Sequence, residues 1–306
     1  MIFLTVALSS YFLGALSVIL DKFLLGSKRI SSPPVYSFYI GLFGLVTLIF
    51  IPFFNFYIPS FFQIAISILG GAMFSIGILF LYFAIQTGEA SRVPPLIGAI
   101  IPVATYFLSF FASSEKFIPI QIIGISLLVF GGLLISFDLP LKINKRKFAS
   151  GFWYSLWAGI FLALAYFIFK IVYNEQNFLN GFIWTRIGAF LAVVCYFLIP
   201  VWRNNILKSF GSFKKPREKE YQTGLLFIGN KTIGGISSIL MNFAISLGSV
   251  AVVNSLVSSQ YVFVLALAYF AHRKYPLVFE EKLKFWDWAQ KVGAIILIGM
   301  GIIMIY

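Results

Sequence analysis

Residues 62–86 read FQIAISILGGAMFSIGILFLYFAIQ, a run without a single charged side chain. As a helix rising 1.5 Å per residue it would reach about 37 Å, more than the roughly 30 Å hydrocarbon core of a bilayer. A spanning backbone must satisfy every N–H and C=O within itself, so the run predicts a transmembrane helix. Nine further segments have the same character: 3–24, 35–53, 93–111, 118–137, 151–173, 179–200, 222–247, 250–271 and 288–305. Proline or glycine punctuates the joints, as at Pro33-Pro34, Pro94-Pro95, Pro119, Gly181, Gly248 and Pro276. The fold expected is an all-α membrane protein of ten transmembrane helices, with almost nothing outside the bilayer.

Composition agrees. Sixty per cent of residues are apolar, 11% are charged and mean hydropathy is +0.95, whereas a soluble chain carries roughly 25% charged residues. The net charge of +13 would point to nucleic acid in a soluble protein; here the cations sit in short loops, so no nucleic-acid partner is expected, only membrane lipid and a solute. Five of the six tryptophans (Trp153, Trp157, Trp202, Trp286 and Trp288) lie near predicted helix ends, as an interfacial belt requires. The 37 phenylalanines read as lipid contact and packing. The apolar N-terminus reads as a retained first helix, lacking the basic flank and small-residue cleavage site of a signal peptide.

The loop cations also orient the chain. Lys28-Arg29, Arg92, the Lys142–Lys147 cluster, the Arg203–Lys219 cluster and the Arg273–Lys284 cluster fall in odd-numbered connections, and Lys116 alone falls in an even one. By the positive-inside rule the odd loops are cytoplasmic and both termini face outward. The expected location is the cytoplasmic membrane of a prokaryote.

The chain looks duplicated. Tyr39-Ile40-Gly41-Leu42-Phe43 in the second segment matches Arg186-Ile187-Gly188-Ala189-Phe190 in the seventh. Phe83-Ala84 with Gly88 matches Phe243-Ala244 with Gly248, and Gly124 and Gly132 match Gly293 and Gly301. The offset widens where the second half carries the longer loop. Each half holds five helices, and an odd number forces the halves into opposite orientations, the layout of many secondary transporters. The repeats are assigned to 1–137 and 151–306, with 138–150 a basic linker.

With these motifs in order (Ala84-x-x-x-Gly88, Pro102-Val103, Glu115-Lys116, Gly124 and Gly131-Gly132, then Ala244-x-x-x-Gly248, Glu280-Glu281-Lys282, Gly293 and Gly299-x-Gly301), the chain resembles the drug/metabolite transporter superfamily, specifically proteins with two EamA-type domains. The resemblance implies a ten-helix carrier that moves metabolites by alternating access around a central cavity. Substrates in that family run from amino acids to sugars and nucleotide sugars. Two features depart from it. Gln260-Tyr261 stands where the family has Pro-Val, so the ninth helix is expected to be less kinked, and the charge bias puts the termini outside.

Charge inside the bilayer costs roughly 2.5–3.5 kcal/mol on insertion scales and so marks candidates for function. Lys231 in the eighth segment and Arg186 in the seventh are too deep to be loop charges. They are assigned to substrate binding, where they would attract an anionic or zwitterionic solute; for Arg186 the alternatives are snorkelling to the interface or pairing with helix carbonyls. Asn230 precedes Lys231, so at most one of the two points squarely at a cavity. Asn242 is eleven residues beyond Lys231, on the same helical face. Gln260 and Tyr261, mid-helix in the ninth segment, complete the set; Asn254 reads equally well as solute contact or as a helix-to-helix hydrogen bond. Lys22 and Lys170, near the ends of the first and sixth helices, are candidates for gating, with a local Asp21–Lys22 pair the alternative.

Other classes are excluded by what the sequence lacks. His272 is the only histidine and Cys195 the only cysteine, so no metal site, Ser–His triad or disulfide is available. No glycine-rich phosphate loop accompanies a Lys-Ser/Thr pair, so no nucleotide-driven step and no cofactor is expected. An integral membrane enzyme would need histidine, paired acids or a metal at membrane depth. The reading is a secondary or facilitative carrier, not an enzyme; a flippase for a lipid or lipid-linked precursor is the alternative.

Overall fold

The computed structural model describes residues 2–25, 32–87, 93–112, 117–136, 145–211, 218–274 and 285–305. Every regular element among them is helical: α1 (Ile2–Leu25), α2 (Pro33–Gly44), α3 (Phe61–Thr87), α4 (Val93–Ala112), α5 (Pro119–Ser136), α6 (Lys145–Glu175), α7 (Phe178–Val194), α8 (Pro200–Gly211), α9 (Glu218–Leu247), α10 (Val250–Ser255), α11 (Val257–Lys274) and α12 (Phe285–Ile305). Seven segments are long and apolar enough to cross a membrane: Ile2–Leu20, Pro33–Phe53, Phe61–Thr87, Val93–Ala112, Gly151–Glu175, Phe178–Leu198 and Val250–Phe270. Pro119–Leu134 and Ala289–Ile305 are shorter apolar helices. Phe43, Phe61, Phe107, Phe111, Phe130 and Ile303 stand exposed on their helices, a pattern that lipid explains and water does not. The protein is a multi-pass α-helical membrane protein.

Local chemistry sets the helix ends. Pro33 and Pro34 occupy the first turn of α2, where a missing N–H is harmless. α2 then tightens into a 3₁₀ stretch, Leu45–Phe53, holding Pro52, and the chain turns extended at Phe54. α7 does the same through Cys195–Leu198 before Pro200 opens α8. The second and seventh segments, matched in sequence, thus share a way of ending.

The joint 201–221 is not the plain charged loop that hydropathy suggests. About half of it is α8, which buries Ile206, half-buries Trp202 and sets the partly exposed Phe210 ring against Phe38 and Tyr39, all at helical spacing, and leaves Arg203, Asn204 and Lys208 exposed. Trp202 packs edge-on to Tyr196 at 5.2 Å, and Tyr39 hydrogen-bonds Ser209 at 3.0 Å. Likewise α6 begins at Lys145, inside the span assigned to the basic linker.

The ninth segment corrects a second expectation. It was to be less kinked than the fourth, which carries Pro102, yet α4 runs unbroken from Val93 to Ala112 while the ninth segment breaks between α10 and α11 at Leu256. Local hydrogen bonds flank the break. Ser255 donates to the Val252 carbonyl at 2.8 Å and Ser259 to the Leu256 carbonyl at 2.6 Å, while the Ser259 N–H bonds Leu256 three residues back. Such local bonds compete with the i→i−4 ladder.

The helices gather into two compact units, α1, α5 and α9–α12 in the first and α2–α4 and α6–α8 in the second, so each draws on both halves of the sequence. In the first unit α1 packs antiparallel to α9: Ser10 and Ser237 each donate to the other's carbonyl, at 2.7 and 2.8 Å, and Ser17 donates to Asn230 Oδ1 at 2.7 Å. α1 runs parallel to α10 and α11, with Phe3 beside Gly248, Tyr11 donating to the Val253 carbonyl and Gly14 beside Gln260. α5 and α12 are antiparallel, Gly124 lying against Gly301 and Ile305, and Gln290 donating to the Leu134 carbonyl.

In the second unit α3 and α6 are antiparallel, Gly77 beside Leu162 and Gly70 beside Ile168. α4 and α6 are parallel: Val93 and Ile97 cluster with Ala158, and Leu108 and Phe111 line a groove with Ile160 and Leu164. Val35, Phe38, Leu79, Val193, Tyr196 and Ile206 join α2, α3, α7 and α8 in one apolar cluster. Small residues and short hydrogen bonds carry these contacts because lipid removes the hydrophobic drive between helices. The α1–α9 register predicts that S10C/S237C, made in a Cys195→Ala background, crosslinks nearly completely under mild oxidation, judged by gel mobility. A one-turn displacement, S10C/M241C, is expected to give little; equal crosslinking of both pairs would refute the register.

Candidate functional site

Phe178, Phe182 and Arg186 follow one another at i, i+4 and i+8 on α7, a spacing that stacks side chains on one face. Tyr166, Phe169 and Tyr173 do the same on α6 at i, i+3 and i+7. The two faces meet beside Phe74 of α3, and Gly44 of α2 leaves room for the Arg186 stem, with a would-be Cβ 3.6 Å from its Cδ. The result is an aromatic cage within the second unit, closed around one guanidinium.

Arg186 is 6% exposed. Its Cζ lies 4.5 Å from the ring centroid of Phe182, 4.9 Å from Phe74 and 5.6 Å from Phe169. Tyr173 hydrogen-bonds the guanidinium and Tyr166 stands close by. Neither Nε nor Nη2 has a hydrogen-bond partner among the described residues. No carboxylate among those residues pairs with it. Each ring contact contributes about 0.5–2 kcal/mol, while taking an unpaired cation out of water costs several. The rings therefore offset part of the cost but cannot supply the acceptors that two N–H groups lack.

A neutral network holds the α6–α7 turn. Asn180 donates to Gln176 Oε1 at 2.9 Å, the Tyr57 N–H donates to Asn180 Oδ1 at 3.3 Å, and Gln176 reaches Ser67 at 3.4 Å. These side chains tie the α6–α7 turn to α3, leaving Arg186, one and a half turns further along α7, as the charged member.

The remaining assigned residues fall in the first unit. Asn230, not Lys231, is the fully buried member of its pair, held by Ser17; Lys231 is half-buried on α9. Asn242 is buried and donates to the Ser238 carbonyl of its own helix at 2.8 Å. Gln260 and Tyr261 are half-buried near the start of α11, and Gln260 lies with Ser237 beside Gly14, where α1, α9 and α11 meet. Asn230 and Gln260 thus attach to one polar seam, Asn230 at Ser17 and Gln260 at Gly14 and Ser237, about one turn away along α1 and two along α9. Lys170 is half-buried on α6. The side chains of Lys22 and Asp21 lie outside the described residues.

Two features escaped the sequence reading. Three of the phenylalanines assigned to lipid and packing, Phe74, Phe169 and Phe182, serve the guanidinium instead. Asn254, read from the sequence as solute contact or helix-to-helix hydrogen bond alike, lies next to the break between α10 and α11, 1% exposed, and neither amide atom has a hydrogen-bond partner among the described residues. The break beside it is the part that the sequence reading missed.

No protein-family profile matches the chain, and no curated protein sequence does. Among solved structures, one described only as a crystal structure of a protein superposes over 97% of this chain and 97% of its own, with a TM-score of 0.66 at 14% identity. At that identity the likeness speaks for the fold alone.

Proposed function

We propose that the chain is a ten-crossing carrier of two inverted five-helix repeats, of the EamA type within the drug/metabolite transporter superfamily, moving a small anionic or zwitterionic metabolite by alternating access. One observation carries the reading. α1 packs antiparallel to α9 and parallel to α11; α6 packs antiparallel to α3 and parallel to α4. Numbering the crossings in order, with α8 left at the surface, the first trio is 1, 8 and 9 and the second is 6, 3 and 4. Adding or subtracting five converts one trio into the other, and the pairs α5–α12 and α2–α7 map onto themselves.

The directions support the count. Crossings of unlike parity (1 with 8, 3 with 6, 5 with 10) are antiparallel and those of like parity (1 with 9, 4 with 6) are parallel. A crossing by α8 would reverse the α1–α9 relation. Inverted repeats of this kind are the architecture on which secondary carriers alternate access, binding solute near the midplane.

In this reading Lys231 and Arg186 supply positive potential, Asn230, Asn242, Gln260 and Tyr261 shape polar contacts, and Lys22 and Lys170 serve gating. The test is flux into proteoliposomes for metabolites first selected by thermal stabilisation of the purified protein. Lys231→Ala is expected to lower flux at least about tenfold, a loss of roughly 1.4 kcal/mol, with little change in thermal stability because the side chain is only half-buried. Normal flux in Lys231→Ala and Arg186→Ala together would sink the assignment of these cations. Stabilisation by lipid head groups alone would replace the carrier with a flippase.

A further inference from the structure

We propose that the Nε/Nη2 edge of Arg186 seats a single carboxylate, and that the solute is an organic monocarboxylate without an ammonium group beside it. The proposal rests on the carrier reading for the word solute and on the cage for everything else.

Nε and Nη2 are the two nitrogens on one edge of the guanidinium, and their N–H bonds run parallel. That edge matches the two oxygens of a carboxylate as a bidentate fork, a geometry lysine does not offer. Both nitrogens are buried and have no hydrogen-bond partner among the described residues. Phe182, Phe74 and Phe169 lie within 4.5–5.6 Å of Cζ. The rings turn their π faces to the guanidinium and offer no hydrogen-bond acceptor of their own kind, so the acceptors its edge lacks must come from elsewhere.

Charge narrows the class. The cage presents one cation and no acid among the described residues. A monoanion neutralises it; a phosphate dianion would leave a net negative charge among ring faces that are themselves negative. An amino acid would bring its ammonium close to the guanidinium with no carboxylate to receive it. An amide or alcohol would leave the cation uncompensated. The aromatic walls instead favour an apolar body next to the carboxylate.

The test uses the purified full-length protein and isothermal titration with phenylacetate, phenylacetamide, phenyl phosphate, L-phenylalanine, and the series from acetate to octanoate. Phenylacetate is expected to bind at least tenfold more tightly than its amide, the phosphate ester or L-phenylalanine. Arg186→Lys, which keeps the charge and loses the fork, is expected to weaken phenylacetate at least tenfold. Arg186→Met is expected to abolish binding while its melting temperature stays level or rises, an outcome that a purely structural arginine would not give. Equal binding of acid and amide, binding of L-phenylalanine as tight as phenylacetate, unaltered affinity in Arg186→Lys, or no binding by any acid of the series would each overturn the proposal.

Two further arms separate the sources. Binding confined to phosphatidylserine nanodiscs would assign the carboxylate to a lipid and overturn the solute. Phenylacetate that binds through Arg186 but never enters proteoliposomes would retain the site and remove the carrier reading. Phenylacetate flux untouched by Arg186→Lys would do the reverse.

Discussion

Gly71→Ala is expected to leave little or no folded protein. α3 and α7 approach so closely that a Cβ on Gly71 would fall on the Thr185 carbonyl oxygen and the Ala189 nitrogen, and a Cβ on Gly188 would fall on the backbone of Ile68. Backbone on both sides cannot rotate away as a side chain would, so one helix must move off the other. Overpacking a close-packed site costs about 1–3 kcal/mol where side chains can adjust, and here the cost is expected above that range. The displaced segment includes Thr185, next to Arg186, so the cage would open as well. Size-exclusion profile and melting temperature decide it. Gly299→Ala, at a glycine whose Cβ would meet nothing within 4 Å, is the control and is expected to behave as wild type. A Gly71→Ala protein as stable as that control would mean that α3 and α7 do not meet as described.

Arg186→Glu is expected to be nearly as damaging, for an electrostatic reason. The ring faces of Phe74, Phe169 and Phe182 attract a cation and repel an anion, so the substitution turns three favourable contacts into unfavourable ones. It also leaves a buried carboxylate with no cation, a situation worth about 3–5 kcal/mol when a buried pair is broken. Thermal unfolding of Arg186→Glu beside Arg186→Met separates charge sign from packing: the methionine protein is expected to hold its melting temperature and the glutamate protein to lose it. Equal stability in the two would show that the guanidinium does not sit among the rings.

These two sites mark how far the sequence can be read. The apolar segments are helical among the described residues, seven of them long and apolar enough to cross a membrane, because a spanning run of about 20 apolar residues leaves the backbone no other solution. Arg186 stood out for the same reason, as a charge in an apolar run. Its cage did not. Tyr166, Phe169 and Tyr173 have helical spacing, but on helices apolar all round no face is distinguished, so periodicity could not separate rings that face a cation from rings that face lipid. α8 was hidden by its charge, since Arg203 and Lys208 masked the Trp202, Ile206 and Phe210 face. At Leu256 the helix breaks without a proline, among local serine bonds whose spacing also occurs in unbroken helices and so carries no signal.

The pairing of α1 with α9 has a consequence for how the protein is made. Ser10 and its partner Ser237 lie 227 residues apart, and ribosomes add about 5–20 residues per second. From its own synthesis until that of α9, α1 therefore waits roughly 10–45 s in the bilayer with Ser10 and Ser17 lacking their final acceptors. α5 waits similarly for α12. A nascent chain stopped between α5 and α9 is left with two helices that lack the partners they pack on in the full chain, and unsatisfied helices of that kind are what membrane quality-control proteases are built to find.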